Sequence, residues 1–195
     1  MQVDLLFSQF VVKEKISEKV NLNNVSNYSL NKLENIEQYF FNDNDLLACQ
    51  DLSLLTQEIK LGIDYVANDV YAVNLNNYKF NLDRLWVTKP VRHILDDHIH
   101  PGYHISGVVY VNKSVDKKSS IKFHSSDYNT SEKFRHSEFC DVLVDHNIFN
   151  SNIIEYDVEI GTMYLFPSWL RHQAINLEED QKRLSIAFNS SMTRI

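Results

Sequence analysis

Glycine is scarce in this chain: Gly62, Gly102, Gly107 and Gly161 are the only four in 195 residues. They cannot be assembled into a G-x-G-x-x-G or Walker-type loop, which disfavours nucleotide binding through a glycine cradle. There is no G-x-S-x-G turn either, so Ser168, in F-P-S-W, reads as a turn residue and not as a hydrolase nucleophile. Cysteine is scarcer still. Cys49 and Cys140 form no C-x-x-C pair and no disulfide framework, so a reduced cytoplasmic setting is expected. Basic charge is in deficit: 19 Lys and Arg face 26 Asp and Glu, for a formal net charge of −7. General nucleic-acid binding needs clustered cations, so nucleic acid is not an expected partner. Long apolar runs are also missing. No segment approaches the roughly 18 apolar residues of a membrane span. The first twenty residues lack the basic start and apolar stretch of a signal peptide. The expectation is a soluble cytoplasmic protein with no membrane partner. Abundant Asn and Lys suggest an AT-rich coding bias of a viral or marine bacterial kind, in which case the cytoplasm would be a host's.

What remains is an ordinary globular composition, 44% hydrophobic and 23% charged, enough for a real core. The length suits one domain over 1–195. Its first part, 1–67, reads as an opening strand (4–13) followed by helices. Ser29 is a candidate N-cap for L-N-K-L-E-N-I-E-Q-Y-F-F-N, with Leu33, Ile36 and Phe40 at helical spacing. Leu52, Leu55, Ile59, Ile63 and Val66 mark a second helix, with an interruption expected near Gly62. From residue 68 the period becomes that of strands, in the runs 71–81, 91–100, 104–112, 119–126, 153–161, 162–170 and 182–191. Each is short, β-branched or aromatic, and bounded by turn residues, which predicts a β-barrel or sandwich. The polar stretch 125–150 is predicted to be a long loop.

Three groups of residues could carry chemistry. His98 and His100, in D-D-H-I-H-P, fall on one side of an extended segment and could hold a metal ion together. With eight histidines, one H-x-H arises by chance roughly a third of the time, so a surface pair is the plainer reading of this motif alone. His172 follows the aromatic run Y-L-F-P-S-W-L-R, which reads as a strand, a turn and a new strand. Arg183, Ser185, Ala187 and Asn189 share one face of a third strand, opposite Leu184, Ile186 and Phe188. A guanidinium fork beside a hydroxyl suits a small dicarboxylate on an inward face, and equally suits a solvated outer face. His93, His124, His136 and His146 join no spaced motif and read as structural or surface residues. His104 reads as a turn residue, and Asp127 carries no motif.

Taken in order, these blocks resemble a known family. His98-Ile99-His100-Pro101, then Ser106-Gly107-Val108-Val109-Tyr110-Val111, then Phe166-Pro167-Ser168-Trp169-Leu170-Arg171-His172, then Arg183-Leu184-Ser185-Ile186-Ala187-Phe188-Asn189 are similar to the 2-oxoglutarate/Fe(II)-dependent dioxygenases. More narrowly, the sequence is similar to a bacterial and phage subfamily with H-x-H-P. The resemblance covers roughly residues 84–190. It implies a mainly β fold, a double-stranded β-helix (jelly-roll, cupin-like) with flanking N-terminal α-helices. It implies Fe(II) at His98, His100 and His172, which would be both the metal ligands and the catalytic residues. It implies 2-oxoglutarate on Arg183 and Ser185, with Tyr103, Tyr110 and Asn189 as further contacts. O2 would be consumed, and ascorbate would stimulate.

The wider superfamily has H-x-D where this chain has His98 and His100. Three neutral imidazoles would also suit Zn(II) or Ni(II), and Asp96 or Asp97 could supply the missing charge. The leading expectation is a hydroxylase acting on a small-molecule or peptidyl substrate, with an amino-acid side chain such as that of proline, asparagine or aspartate foremost. A homodimer is compatible with it. The rivals are a non-catalytic cupin-like metal-binding barrel and a phage accessory or interaction protein.

Overall fold

The computed structural model describes residues 9–26, 40–42, 46–47, 49–88, 97–114, 118–125, 151–176 and 183–195. Nine strands are found among them: β1 Val12–Lys15, β2 Phe40–Asn42, β3 Tyr78–Thr88, β4 Ile105–Asn112, β5 Ser119–His124, β6 Ile153–Asp157, β7 Thr162–Pro167, β8 His172–Asn176 and β9 Leu184–Arg194. They form a six-stranded sheet in the order β1-β7-β4-β9-β3-β2 and a three-stranded sheet in the order β6-β5-β8. Every pairing is antiparallel. This is the double-stranded β-helix, mainly β with a helical layer towards the N-terminus.

Alternation along the central strands divides the core in two. Ile105, Val109 and Val111 of β4 join Met163 and Leu165 of β7, and Leu184, Ile186 and Phe188 of β9, on the outer face of the large sheet. There they meet Leu52, Leu55, Ile59, Ile63 and Val66 from the helix Ser53–Tyr65 and its flanks. Val108, Tyr110, Tyr164 and Phe166 point the other way and pack with Ile121 and Phe123 of β5, between the two sheets. Both faces of β4 and β7 are therefore buried, which is why these strands read as nearly unbroken apolar runs. By contrast β1, at an edge, exposes its charges and pairs Lys13 and Lys15 with Glu159, a usual protection of a free strand edge.

The five apolar residues predicted to mark the second helix are all buried. Gly62 does not interrupt that helix. A Cβ there would lie 2.7 Å from Met163 Cε, so the glycine lets the helix seat closely on β7. At Gly107 the need is stricter, because a Cβ would lie 2.6 Å from the backbone oxygen of Tyr164 and would enter the Phe188 ring.

Four further sequence expectations need correction. Of the opening strand expected at 4–13, residues 4–8 lie outside the described residues; the strand described there is Val12–Lys15, and 9–11 are not part of it. The end of the predicted first helix, Phe40–Asn42, is a strand on the edge of β3. Two adjacent aromatics favour extended backbone, and an edge open for pairing satisfies their main chain; residues 27–39 lie outside the described residues. The run 71–81 starts as a turn built on Asn74, whose side chain and carbonyl accept from Asn76 and Asn77. Its strand begins at Tyr78 and runs on to Thr88. The run 91–100 contributes only a single bridge, at His98. Of that run, 91–96 lie outside the described residues, as do Asp96 and the stretch 126–150.

Candidate metal centre

β7 ends at Pro167 with Phe166 turned between the sheets, and the chain turns through 168–171 before β8 opens on His172. His172 sits opposite Phe123 of β5 on one side and His98 on the other. The bridge to His98 is reciprocal, each backbone N–H donating to the other's carbonyl at 3.0 Å. Two residues on, His100 N–H donates to the Ser168 carbonyl at 2.8 Å. The segment 98–100 is thus held extended along the β7–β8 turn, and its alternation puts both imidazoles on the side of His172.

The three rings converge. Their ligand atoms all lie within 4.8 Å of one another. Ring centroids are 4.4 Å apart for His98 and His172, and 5.1 Å apart for the other two pairs. His100 Nε2 and His172 Nε2 are 3.3 Å apart. His172 Nδ1 lies 2.8 Å from the Leu170 carbonyl, which can only accept, so the proton is on Nδ1 and the Nε2 lone pair is free to bind a cation. Burial, and then the neighbouring charge of His98, push His100 down to about 4. The same two causes push His172 down to about 3, against a smaller opposing effect of the Leu170 hydrogen bond. Both are neutral at pH 7, as a ligand must be. Asp97 does not join them: its Oδ2 is 3.1 Å from Arg171 Nη1, in an ion pair. Three neutral nitrogens fit a borderline first-row divalent ion, and Fe(II) among them.

A second buried group lies beyond the histidines. Arg183 is 3% exposed. One terminal nitrogen donates to the Ile175 carbonyl at 3.2 Å, and the other reaches the Tyr110 hydroxyl at 3.5 Å. Its guanidinium carbon is 5.3 Å from the centroid of the Tyr110 ring. Burial raises the Tyr110 phenol, with Arg183 opposing, so Tyr110 stays a neutral donor. Ser185 is buried and pairs with Tyr110 in the β4–β9 register, so the two share the inner face. Asn189 is on that face too, with its Oδ1 accepting from Ser106 Oγ at 2.7 Å, and Ser106 Oγ is 2.8 Å from Ser168 Oγ. Tyr103 is half-buried in the turn after His100 and makes no hydrogen bond or ring contact to these groups among the described residues.

Sequence reasoning missed three participants. Ser106 and Ser168 stood inside quoted motifs, yet only the structure joins them to Asn189. Trp86, 5.8 Å from His100 by ring centroid, had no motif at all.

A protein-family model described as "Putative 2OG-Fe(II) oxygenase" matches residues 84–189, more than half of the chain. The chain belongs to the 2OG-Fe(II) oxygenases. Membership implies Fe(II) and 2-oxoglutarate, and this oxygenase offers three histidines as its candidate metal site. No curated protein sequence matches it. Solved structures share the fold at low identity. The non-haem α-ketoglutarate-dependent epimerase SnoN from nogalamycin biosynthesis aligns with a TM-score of 0.63 at 13% identity, over 93% of this chain and 78% of its own. A Pseudomonas putida prolyl-4-hydroxylase aligns at 0.56 and 10%, over 93% of each chain. HygX from Streptomyces hygroscopicus, solved with nickel and 2-oxoglutarate bound, aligns at 0.52 and 12%, over 93% of this oxygenase and 82% of its own chain. Among the described residues of this oxygenase, no helix is long and apolar enough to cross a membrane.

Proposed function

We propose that this oxygenase is a hydroxylase that consumes 2-oxoglutarate and O2 and acts on an amino-acid or peptidyl side chain. The observation that carries the reading is a buried Arg183 sharing one interior with three converging histidines. His98, His100 and His172 would hold Fe(II), which when bound supplies the redox chemistry that couples keto-acid decarboxylation to C–H oxidation. Overall, R–H, 2-oxoglutarate and O2 give R–OH, succinate and CO2, with one oxygen atom in each of the first two products.

The chain's own residues do the rest. Arg183 and Ser185 would take the far carboxylate of the keto acid through charge-assisted bonds, with the neutral Tyr110 hydroxyl as a third donor. Val108, Tyr164 and Phe166, all buried between the sheets, exclude water from the space beside them. The Leu170 carbonyl holds the His172 tautomer. Ser168 ties the His100 segment to β4 and β9 through Ser106 and Asn189, which gives Asn189 a positioning role as well as its candidate contact with the keto acid. The hydroxylase reading and the side-chain substrate rest on chemistry and likeness of fold.

The test is succinate formation from 2-oxoglutarate with Fe(II) and ascorbate, without added substrate. Slow turnover is expected, stimulated by ascorbate and abolished by His172→Ala. Arg183→Ala should raise the 2-oxoglutarate requirement about a hundredfold, the scale of two lost charge-assisted bonds. If no succinate forms, and no charge-transfer band appears on anaerobic mixing with Fe(II) and 2-oxoglutarate, the protein is a metal-binding barrel and not an oxygenase.

A further inference from the structure

The alternation of β3 changes phase. Before Asp83, Phe80 and Leu82 pack against the core on the outer face of the large sheet, while beyond it Leu85 and Val87 do. The pairing with β9 shows why. Leu82 lies opposite Ser190 and Arg84 opposite Asn189, so Asp83 is an extra residue with no partner, a β-bulge. The bulge moves Arg84, Trp86 and Thr88 to the inner face, opposite Asn189, Ala187 and Ser185 respectively. In register without it, those three side chains would point at the helices.

This inner face has two ends. At one, Thr88, Ser185 and Tyr110 lie in one row across the sheet, beside Arg183. At the other, Arg84, Asn189 and Ser106 lie in one row. Between them runs the row Trp86, Ala187 and Val108. Two observations indicate that this middle row is accessible. Ala187 is the one residue of 183–190 that is not buried, although its strand is flanked on both sides. Trp86, half-buried, stands 5.8 Å from His100. Arg84 and Trp86 stand two positions apart on the strand, about 7 Å along the chain. Arg84 is exposed and forms no ion pair among the described residues.

We infer that Arg84 and Trp86, turned inward by the bulge at Asp83, form the subsite for the substrate to be oxidised, and that this substrate carries its own carboxylate. The inference rests on the oxygenase reading above and deepens it. Arg183 serves the keto acid at one end of the face, and Arg84 offers a second guanidinium fork at the opposite end, with His100 beside the row between them. A carboxylate matches the fork in geometry and balances its single charge. A phosphate dianion would need another cation next to Arg84, and its row across the sheet, with Asn189 and Ser106, holds none. Trp86 covers the apolar part of the substrate, leaving its C–H bonds towards the histidines. A free amino acid or a C-terminal residue fits this subsite, whereas a residue internal to a peptide fits it only if its side chain supplies the carboxylate.

The experiment is stimulation of succinate formation by each free L-amino acid, compared with stimulation by its carboxamide. Each rate is divided by that same protein's rate without substrate. In the native protein at least one acid should stimulate, and its amide should stimulate about tenfold less at equal concentration, the scale of one partly exposed charge-assisted pair. Arg84→Gln should erase the difference between acid and amide, and Arg84→Lys should restore part of it. The inference is overturned if no acid stimulates, if an amide matches its acid, or if Arg84→Gln keeps the preference. Failure of the oxygenase reading looks different, because the native protein then makes no succinate even without a substrate.

Discussion

At the scale of single residues, the site is governed by protonation. His100 and His172 titrate near 4 and 3 in the folded chain, against an ordinary 6.5. Between those values the unfolded chain binds protons that the folded chain refuses. The metal-free protein should therefore be most stable above pH 6.5 and lose stability as the pH falls towards 4. Urea unfolding of the metal-free protein at pH 7 and pH 4.5 checks this, and the double variant His100→Asn, His172→Asn should show a shallower fall. How legible was the site? His172, Arg183 and Ser185 could be read because spacing and strand face agree. The His98–His100 pair was legible as a motif, yet its convergence on His172 depends on a single backbone bridge that no periodicity reveals. Asp97 was an open candidate in sequence, and only the ion pair to Arg171 removes it. Trp86 was missed because the bulge at Asp83 reverses the alternation on which facing arguments rely. The signal was there, in the change from Phe80 and Leu82 to Leu85 and Val87.

At the scale of elements, the two close-packed glycines make opposite predictions. Gly107→Ala drives a methyl into backbone and ring at once, so it should cost about 2 kcal/mol or more. At Gly62 the nearest obstacle is the end of a methionine side chain, which can move, and alanine gains about 1 kcal/mol of helix propensity. Gly62→Ala should stay within about 1 kcal/mol of the native protein. Denaturant midpoints of the two variants, measured side by side, decide both. The long helix was legible from its 3.6-residue period, and β4, β7 and β9 from their apolar density. The edge strand Phe40–Asn42 was not, because a three-residue strand owes its existence to the neighbour it pairs with and carries no period of its own.

At the scale of the whole molecule, the outer face of the large sheet supports and the inner face works. Ile59 is buried among the outer contacts, far in the packing scheme from the histidines. Ile59→Ala should cost about 2–5 kcal/mol of stability by leaving a cavity. Fe(II) affinity of the protein that remains folded should be unchanged, as a competition titration with a chromogenic chelator would show. The bridge between His98 and His172 has a consequence of another kind. Among the described residues it is what covers the free side of β8, and it joins the two metal-ligand segments by main-chain bonds. An ion on these histidines would act as a clasp on the border of the smaller sheet. Without it, that border would rest on the two backbone hydrogen bonds between His98 and His172 alone, which keep the edge of β8 from offering its main chain to another strand.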